Sequence, residues 1–454
     1  MTVADSTALL SRLDGGRRPR AGLVAACVAG IVGAAALVVA VAPAGAATQQ
    51  VLAYVAGYDS GDVTVINTAT NTVTATIPAG VGASPYGVSV AVEGTRAYAT
   101  NTRAGTLAVI DTLANSLLTT VPVGVQPYSV AVSPDGGHVY VTNFESGTVS
   151  VVDAATLTVT ATVPVNSHPD GIAVSPNGAT LYVANNVAGP GTVTMVDTGT
   201  NTVTGTINVG TTPAKVAITP DGSRVLVTNM FSNNLSIIDT ATNTVTATVG
   251  VGGTPYGLDI SPDGSRAYVP SRADNSLSIV DIPNAVQVAA VPVGSTPQEV
   301  ALTPNGARAY VTNLTDGTVS VVDLASNAVT GTVAVGARPV GIAIAKVGPA
   351  PTRLTAGQAT LTVRLLGFTV HNLNARLTDA ESGAPVAGQP IVFSTVTGRR
   401  LCTATTGADG VARCDADVPL LVGLATLLQG YTASYAGNNT THQPSAAHGS
   451  IVLL

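Results

Sequence analysis

The chain has 454 residues, of which only 10% are charged, and it is rich in Gly, Thr, Val and Ala, a composition suited to short strands and tight turns rather than long solvated helices. Without the four arginines and two aspartates of residues 1–46, the 19 basic and 25 acidic residues become 15 and 23, a net of −8. With Lys215 and Lys346 the only lysines and no basic run, such a chain cannot release many counterions from a phosphate backbone, which excludes nucleic acid as a partner and disfavours an anionic membrane surface.

The N-terminus reads as an export signal over residues 1–46. Arg12, Arg17, Arg18 and Arg20 form a basic start, Ala21 to Val41 is uncharged and apolar, and Ala44-Gly45-Ala46 offers a small-residue cleavage site. The apolar run is also just long enough to span a bilayer, so an uncleaved anchor is the alternative, and the membrane is expected to be met only through this segment. Cys27 stands near the start of the apolar run rather than after it, which argues against a lipoprotein box. The expected location is secreted or cell-surface.

Residues 51–346 repeat. An aromatic-led strand recurs as AYVAG at Ala53, AYATN at Ala97, VYVTN at Val139, LYVAN at Leu181, VLVTN at Val225, AYVPS at Ala267 and AYVTN at Ala309, at spacings of 42 or 44 residues. That period fits one four-stranded propeller blade. Each unit reads as a small-residue first strand such as GIAVS from Gly171, the aromatic-led second strand, a third such as TVSVVD from Thr148, and a Thr/Val-alternating fourth such as TVTATV from Thr158. Ser-Pro-Asp-Gly turns join first to second strands, with Pro presetting φ and Gly tolerating a positive one. The chain begins at a second strand and ends with an extra first strand, Val340 to Ala345, which predicts that the last strand pairs into the first blade and closes a seven-bladed ring.

These blades resemble the YVTN-type β-propeller repeats of bacterial and archaeal surface proteins. The resemblance rests on VYVTN, AYVTN and VLVTN, the preceding SPDG turns, and TATNTVTATV at Thr240 with a near copy at Thr68. The sixth unit departs from it with Pro270-Ser271, and the fifth with Leu226. The resemblance implies an extracellular or envelope protein and carries no chemistry with it.

A Pro-containing linker at 347–353 precedes a domain at 354–454, whose LTVRLLG, NARLTDA, QPIVFSTV and YTASYAG segments read as sandwich strands. It looks like a bacterial immunoglobulin-like domain, most clearly in YTASYAGNNTTHQPS; such domains serve as spacers and adhesion modules. Cys402 and Cys414 flank the turn Gly407 to Gly410, a spacing that places them opposite each other on a hairpin and predicts a disulfide. A two-cysteine metal site is the rival, without nearby histidines. The fold class is therefore all-β: a seven-bladed propeller followed by a small immunoglobulin-like sandwich, behind an N-terminal signal helix.

Strand alternation puts the turns leading into each first strand on the same face as those between second and third strands. Each first strand opens with a proline: Pro85, Pro127, Pro169, Pro213, Pro255, Pro297 and Pro339. Around these, Tyr86, Tyr128, His168, Asp170, Lys215, Tyr256, Gln298, Glu299 and Arg338 form the candidate binding ring at the channel mouth. The plainer alternative is a wet mouth where any polar residue serves.

His168-Pro169-Asp170-Gly171 resembles the mouths of propeller enzymes such as streptogramin lyases and lactonases, which place histidines or carboxylates there. This gives the rival reading, a hydrolase or lyase with His168 as base or ligand and Lys215 or Arg338 holding an anion. One histidine and two carboxylates opposed by two cations make a thin acid–base or metal centre. Asp111, Asp153, Asp197, Asp239, Asp281 and Asp323, at the ends of third strands, are expected to cap turns rather than bind calcium, and Asn101, Asn143, Asn185, Asn229 and Asn313 to be turn formers. No H-E-x-x-H, G-x-S-x-G or Walker motif is present. The expectation is a non-catalytic binding or display protein with no cofactor and no metal, whose partner is an unknown protein, glycan or cell-wall component.

Overall fold

The computed structural model describes residues 49–364, 366–419, 422–438 and 441–453. The export signal and Asn439-Thr440 of the polar loop lie outside them. Among the described residues no helix is long and apolar enough to cross a membrane.

Residues 50–347 form seven four-stranded antiparallel sheets, the blades of a β-propeller. Taken in chain order, the first sheet holds Gln50–Gly57, Asp62–Asn67 and Thr72–Pro78, joined by the last strand, Pro339–Val347, which pairs with Gln50–Gly57. The two ends of the propeller segment thus share one sheet, and the seam is packed by Val55, Ile66, Tyr310 and Ile342. The second to seventh sheets begin at Pro85, Pro127, Pro169, Pro213, Asp259 and Pro297. First strands of neighbouring sheets touch around the axis, and apolar clusters fill the seams between sheets.

The aromatic-led strand earns its composition from three contacts. Its tyrosine and valine are buried, as Tyr54, Tyr98 and Tyr310 show. Its threonine ties one blade to the next: Thr142 Oγ1 accepts the Ser129 N–H at 2.9 Å and donates to the carbonyl of Asp170, one sheet further on, at 2.8 Å. Thr100, Thr228 and Thr312 repeat this pattern. In the sixth sheet Pro270 stands at that position and supplies no hydroxyl, and the first strand there shrinks to Asp259–Ile260.

The asparagines expected to form turns are instead buried clamps, at most 1% exposed. Asn143 accepts the Gly124 N–H at 2.9 Å and donates to Ser150 Oγ at 2.9 Å, gripping both the lead-in turn and the third strand. A Cβ at Gly124 would come within 2.5 Å of that amide, hence the glycine. The aspartates at third-strand ends do cap turns: Asp111 accepts the N–H groups of Leu113 and Ala114 at 2.9 and 2.8 Å.

Two sheets follow from Thr352 to Leu453, sharing one core around Leu361, Val370, Phe393 and Tyr431. A short helix, Leu424–Leu428, that the alternation pattern did not foreshadow packs Leu427 into that core. Cys402 and Cys414 are disulfide-bonded, but not across a hairpin ladder. Arg400–Thr405 pairs within one sheet and Val411–Pro419 within the other, so the bridge links the two sheets, because the chain changes layer at the Gly407–Gly410 turn.

Candidate functional site

Each turn leading into a first strand is fixed by a repeated pair of features. The residue before the proline has a positive φ at Gln126, His168, Thr212, Thr254, Thr296 and Arg338, between 52° and 55°. Its carbonyl accepts the N–H of the residue just after the second strand, as from Phe144 to Gln126 and Asn186 to His168, both 2.9 Å. The lead-in and second-to-third turns are thereby locked together, and both supply side chains to one mouth.

The residue two after each proline approaches the next blade. At Gly87, Gly171, Gly257 and Gly341 a Cβ would meet the neighbouring carbonyl oxygen at 2.4, 2.4, 2.7 and 2.2 Å, so glycine is needed there. Where this position carries Lys215 and Glu299, the two reach across the sixth sheet and pair at 2.7 Å. Gly257, between them, leaves the space that Glu299 Oε2 fills. Burial pulls the Lys215 pKa down, but the Glu299 carboxylate, with Asp170 and Asp259, more than offsets this and the net shift is upward.

The predicted ring separates into parts with different fates. Tyr86, Tyr256 and Asp170 form a brace across the mouth: the two hydroxyls are 2.8 Å apart, Tyr256 donates to the Asp170 carboxylate at 3.0 and 3.1 Å, and Asn186 Nδ2 donates to the same group at 3.1 Å. Gln298 Nε2 extends the chain to Tyr86 at 3.5 Å. Asp170, Tyr256, Gln298 and Glu299 are buried, at 2%, 4%, 1% and 6% exposure. These residues brace the mouth by binding one another, and Tyr86 and Gln298 among them also line a cavity there.

His168 is not joined to Asp170. Its ring lies tilted against Phe144 at 4.7 Å and does not line the mouth cavity. Arg338 pairs with Asp59 at 3.5 Å on the surface and lies 5.1 Å over the Tyr58 ring.

A cavity of 380 Å³ sits above the brace, lined by Tyr58, Tyr86, Tyr128, Arg272, Gln298 and Arg338 among others. Tyr58, Phe144, Asn186 and Arg272 escaped the sequence reading. All follow the second strand directly, at a position whose identity changes from unit to unit, and that variation was the available signal. Tyr86, Tyr128 and Phe144 stack in series at 4.6 and 4.4 Å. The Arg272 guanidinium lies 4.0 Å over the Tyr256 ring, a cation–π contact. Asp259 was also missed. It occupies the position held by Ser89, Ala131, Ala173, Ala217, Ala301 and Ala343 in the other units, and accepts the Leu302 N–H at 2.8 Å.

Burial raises the carboxyl pKa of both Asp170 and Asp259 to about 6, with Glu299 adding to the rise. A carboxyl whose folded pKa exceeds its unfolded value of about 3.9 contributes most stability when protonated in both states, and that contribution is lost as pH rises through 6. The protein is therefore expected to melt at higher temperature at pH 5 than at pH 7.5. A shift of about two units bounds each contribution at about 3 kcal/mol. Asp170→Asn, which keeps an acceptor for Tyr256, should remove about half of the pH dependence in thermal melts; an unchanged slope would show that Asp170 does not titrate in this window.

The family described as cytochrome D1 heme domain matches residues 47–184, and that described as YNCE-like β-propeller matches residues 180–269. No curated protein matches the chain. Similar solved structures include a Kuenenia stuttgartiensis hydrazine synthase, 22% identical over 59% of this chain and 91% of that one, with a TM-score of 0.56. A candidate 6-phosphogluconolactonase of Bacteroides fragilis is 17% identical over 65% and 98%, with a TM-score of 0.56. Another from Bacteroides uniformis is 18% identical over 65% and 100%, with a TM-score of 0.55. At these identities the likeness shows the β-propeller fold.

Among the described residues, the lining of the mouth cavity holds no histidine, cysteine or methionine, which leaves tyrosine as the one type of axial ligand it offers to a haem. An axial ligand would have to be a histidine, a thiolate, a methionine or a tyrosinate. Tyr86 and Tyr256 are engaged with each other and with Asp170, and burial, helped by the Asp170 charge, pushes both hydroxyls up and keeps them protonated. His168 is packed against Phe144 outside the cavity.

Proposed function

We propose that this β-propeller protein is an exported surface protein that binds a partner through the mouth face of its disc, without catalysis. In this reading it resembles the YVTN-type surface propellers, and the C-terminal pair of sheets is an immunoglobulin-like spacer or second contact. The observation that carries it is the mutual engagement of Asp170, Tyr256 and Tyr86 in one brace and of Lys215 and Glu299 in one ion pair. Groups that could move protons are spent on bracing, and what remains accessible is an aromatic and cationic binding wall. The basic and apolar N-terminal segment and the envelope setting of similar repeats support export.

The test is co-sedimentation of the purified chain with isolated cell envelopes, alongside turnover assays on a panel of lactones and esters. Saturable envelope binding, equal in His168→Ala and the parent chain, with no turnover, is the expected result. Saturable turnover abolished by Asp170→Asn would overturn it.

A second reading, a lactone hydrolase, is favoured by the hydrogen-bond chain that ends on Asp170, whose carboxyl burial raises to about 6, and by fold neighbours named as candidate 6-phosphogluconolactonases. It requires Asp170 to reach substrate past Tyr256, and the turnover assay decides between the two.

A further inference from the structure

The wall of the mouth cavity carries hydrogen-bonding capacity that the protein itself does not use. Arg272 Nε is buried with no hydrogen-bond partner among the described residues, and so is Gln298 Oε1. Both side chains line the same 380 Å³ cavity. Leaving a buried donor or acceptor unpaired costs about 1–3 kcal/mol for each group, which a ligand supplying the missing partner recovers. Tyr58 and Tyr128, in the same wall, make ring contacts but no hydroxyl hydrogen bond among the described residues.

Charge points the same way. Arg272 and Arg338 face one small volume from the sixth and first sheets, and Arg103 lies 5.3 Å from the Tyr58 ring on its border. Two guanidiniums thus line this cavity, with Arg103 in the neighbouring one beyond Tyr58, on a chain whose net charge is −6. Of the carboxylates nearby, Asp59 pairs with Arg338 and Asp170 is held by Tyr256 and Asn186, while Glu145 adds negative charge beside Tyr128. Guanidinium forks match the oxygens of carboxylate and phosphate groups. The unused Gln298 carbonyl oxygen calls for a donor, such as a hydroxyl, on the same ligand.

Shape narrows the choice. Both faces of Tyr128 are covered, by Tyr86 and by Phe144, so an entering molecule meets hydroxyls and ring edges rather than an open stacking platform. A volume of 380 Å³ is at the small end of ligand pockets.

We propose that the mouth cavity binds an anionic sugar, its carboxylate or phosphate held by Arg272 and Arg338 and a sugar hydroxyl donated to Gln298 Oε1. This rests on the binding reading above and names the ligand class of the same site. A uronic acid and a phosphorylated sugar present the same chemistry to these residues.

The experiment is calorimetric titration of the full chain with D-glucuronate, glucose 6-phosphate, glucose and acetate. Saturable binding of glucuronate or glucose 6-phosphate is expected, at least tenfold tighter than either glucose or acetate, and the tighter of the two identifies the anionic group. Arg272→Gln should weaken it at least tenfold. Gln298→Leu should reduce the sugar anion to the affinity of acetate. Arg338→Gln, at a half-exposed position, should weaken binding about threefold and guards against an Arg272 variant that fails to fold. Equal affinity for acetate and the sugar anions, binding unchanged in Arg272→Gln, or no binding to any of the four would each overturn the proposal. Envelope co-sedimentation run in parallel separates the two failures: envelope binding without sugar-anion binding sinks only the ligand class, whereas turnover of a lactone or ester sinks the binding reading itself.

Discussion

Ile342→Asp is expected to unfold the propeller cooperatively. Ile342 lies in the last strand, opposite Val55 of the first, and is 7% exposed within the cluster of Ile66, Tyr310 and Val333 that fills the seam between the seventh and first sheets. A carboxylate there loses the apolar contacts and has no cation within the cluster, so the expected cost is more than about 4 kcal/mol. That is a large part of the 5–15 kcal/mol typical of a folded domain. A ring of sheets closed by a single strand has no redundancy at its seam, so loss of this strand leaves the edge of Gln50–Gly57 unpaired. Lys346→Thr on the same strand, an exposed position whose ion pair with Glu381 is on the surface, should change stability by less than about 1 kcal/mol. Chemical denaturation followed by circular dichroism checks both; a folded Ile342→Asp protein with near-parental stability would mean that the closing strand is dispensable.

Glu299→Gln is expected to lower stability by about 2–3 kcal/mol at pH 7.5, below the range for a wholly buried pair because a quarter of the Lys215 side chain remains accessible. The substitution leaves the Lys215 ammonium without its partner beside the axis. It also removes a negative charge that helps raise the carboxyl pKa of Asp170 and Asp259, so both should move down toward the ordinary carboxylate range. The variant should therefore lose stability and, at the same time, lose part of its pH dependence between 5 and 7.5. Lys215→Met combined with Glu299→Gln should recover part of the loss, since no unpaired ammonium then remains, while Asp170 and Asp259 lose the cation that lowers their pKa. Melts of the two variants at pH 5 and 7.5 read this out, and a double variant no more stable than Glu299→Gln would show that the pair matters through packing rather than charge.

The repeat was legible because a blade has to satisfy the same backbone geometry seven times. The aromatic-led strand, the Ser-Pro-Asp-Gly turns and the aspartates capping third-strand ends each answer to local hydrogen bonding, and local demands leave the same residues at the same spacing. The extra strand at 340–345 was likewise readable as a closing partner, because a chain that begins at a second strand lacks one first strand. The asparagines were misread because their partners, such as Gly124 and Ser150 for Asn143, lie 19 and 7 residues away, and only the folded sheet brings them together. The disulfide pairing was readable, but the change of layer that makes it a bridge between sheets was not.

The mouth shows the division most clearly. From the sequence, Tyr86, Tyr128, His168, Asp170, Lys215, Tyr256, Gln298, Glu299 and Arg338 were expected at one end of the axis, since the positions within two residues of each lead-in proline are placed by the repeat. Tertiary structure decided which of them touch. Tyr86 meets Tyr256 from 170 residues away, Lys215 meets Glu299 from 84, and Arg272 enters the cavity from a different turn. Those choices depend on side-chain reach across a closed ring, and on the space that glycines such as Gly257 leave open. A repeat pattern specifies where each backbone segment lies, whereas the pairing of charges and hydroxyls around an axis follows from the low-dielectric, close-packed environment that exists only once all seven sheets are in place.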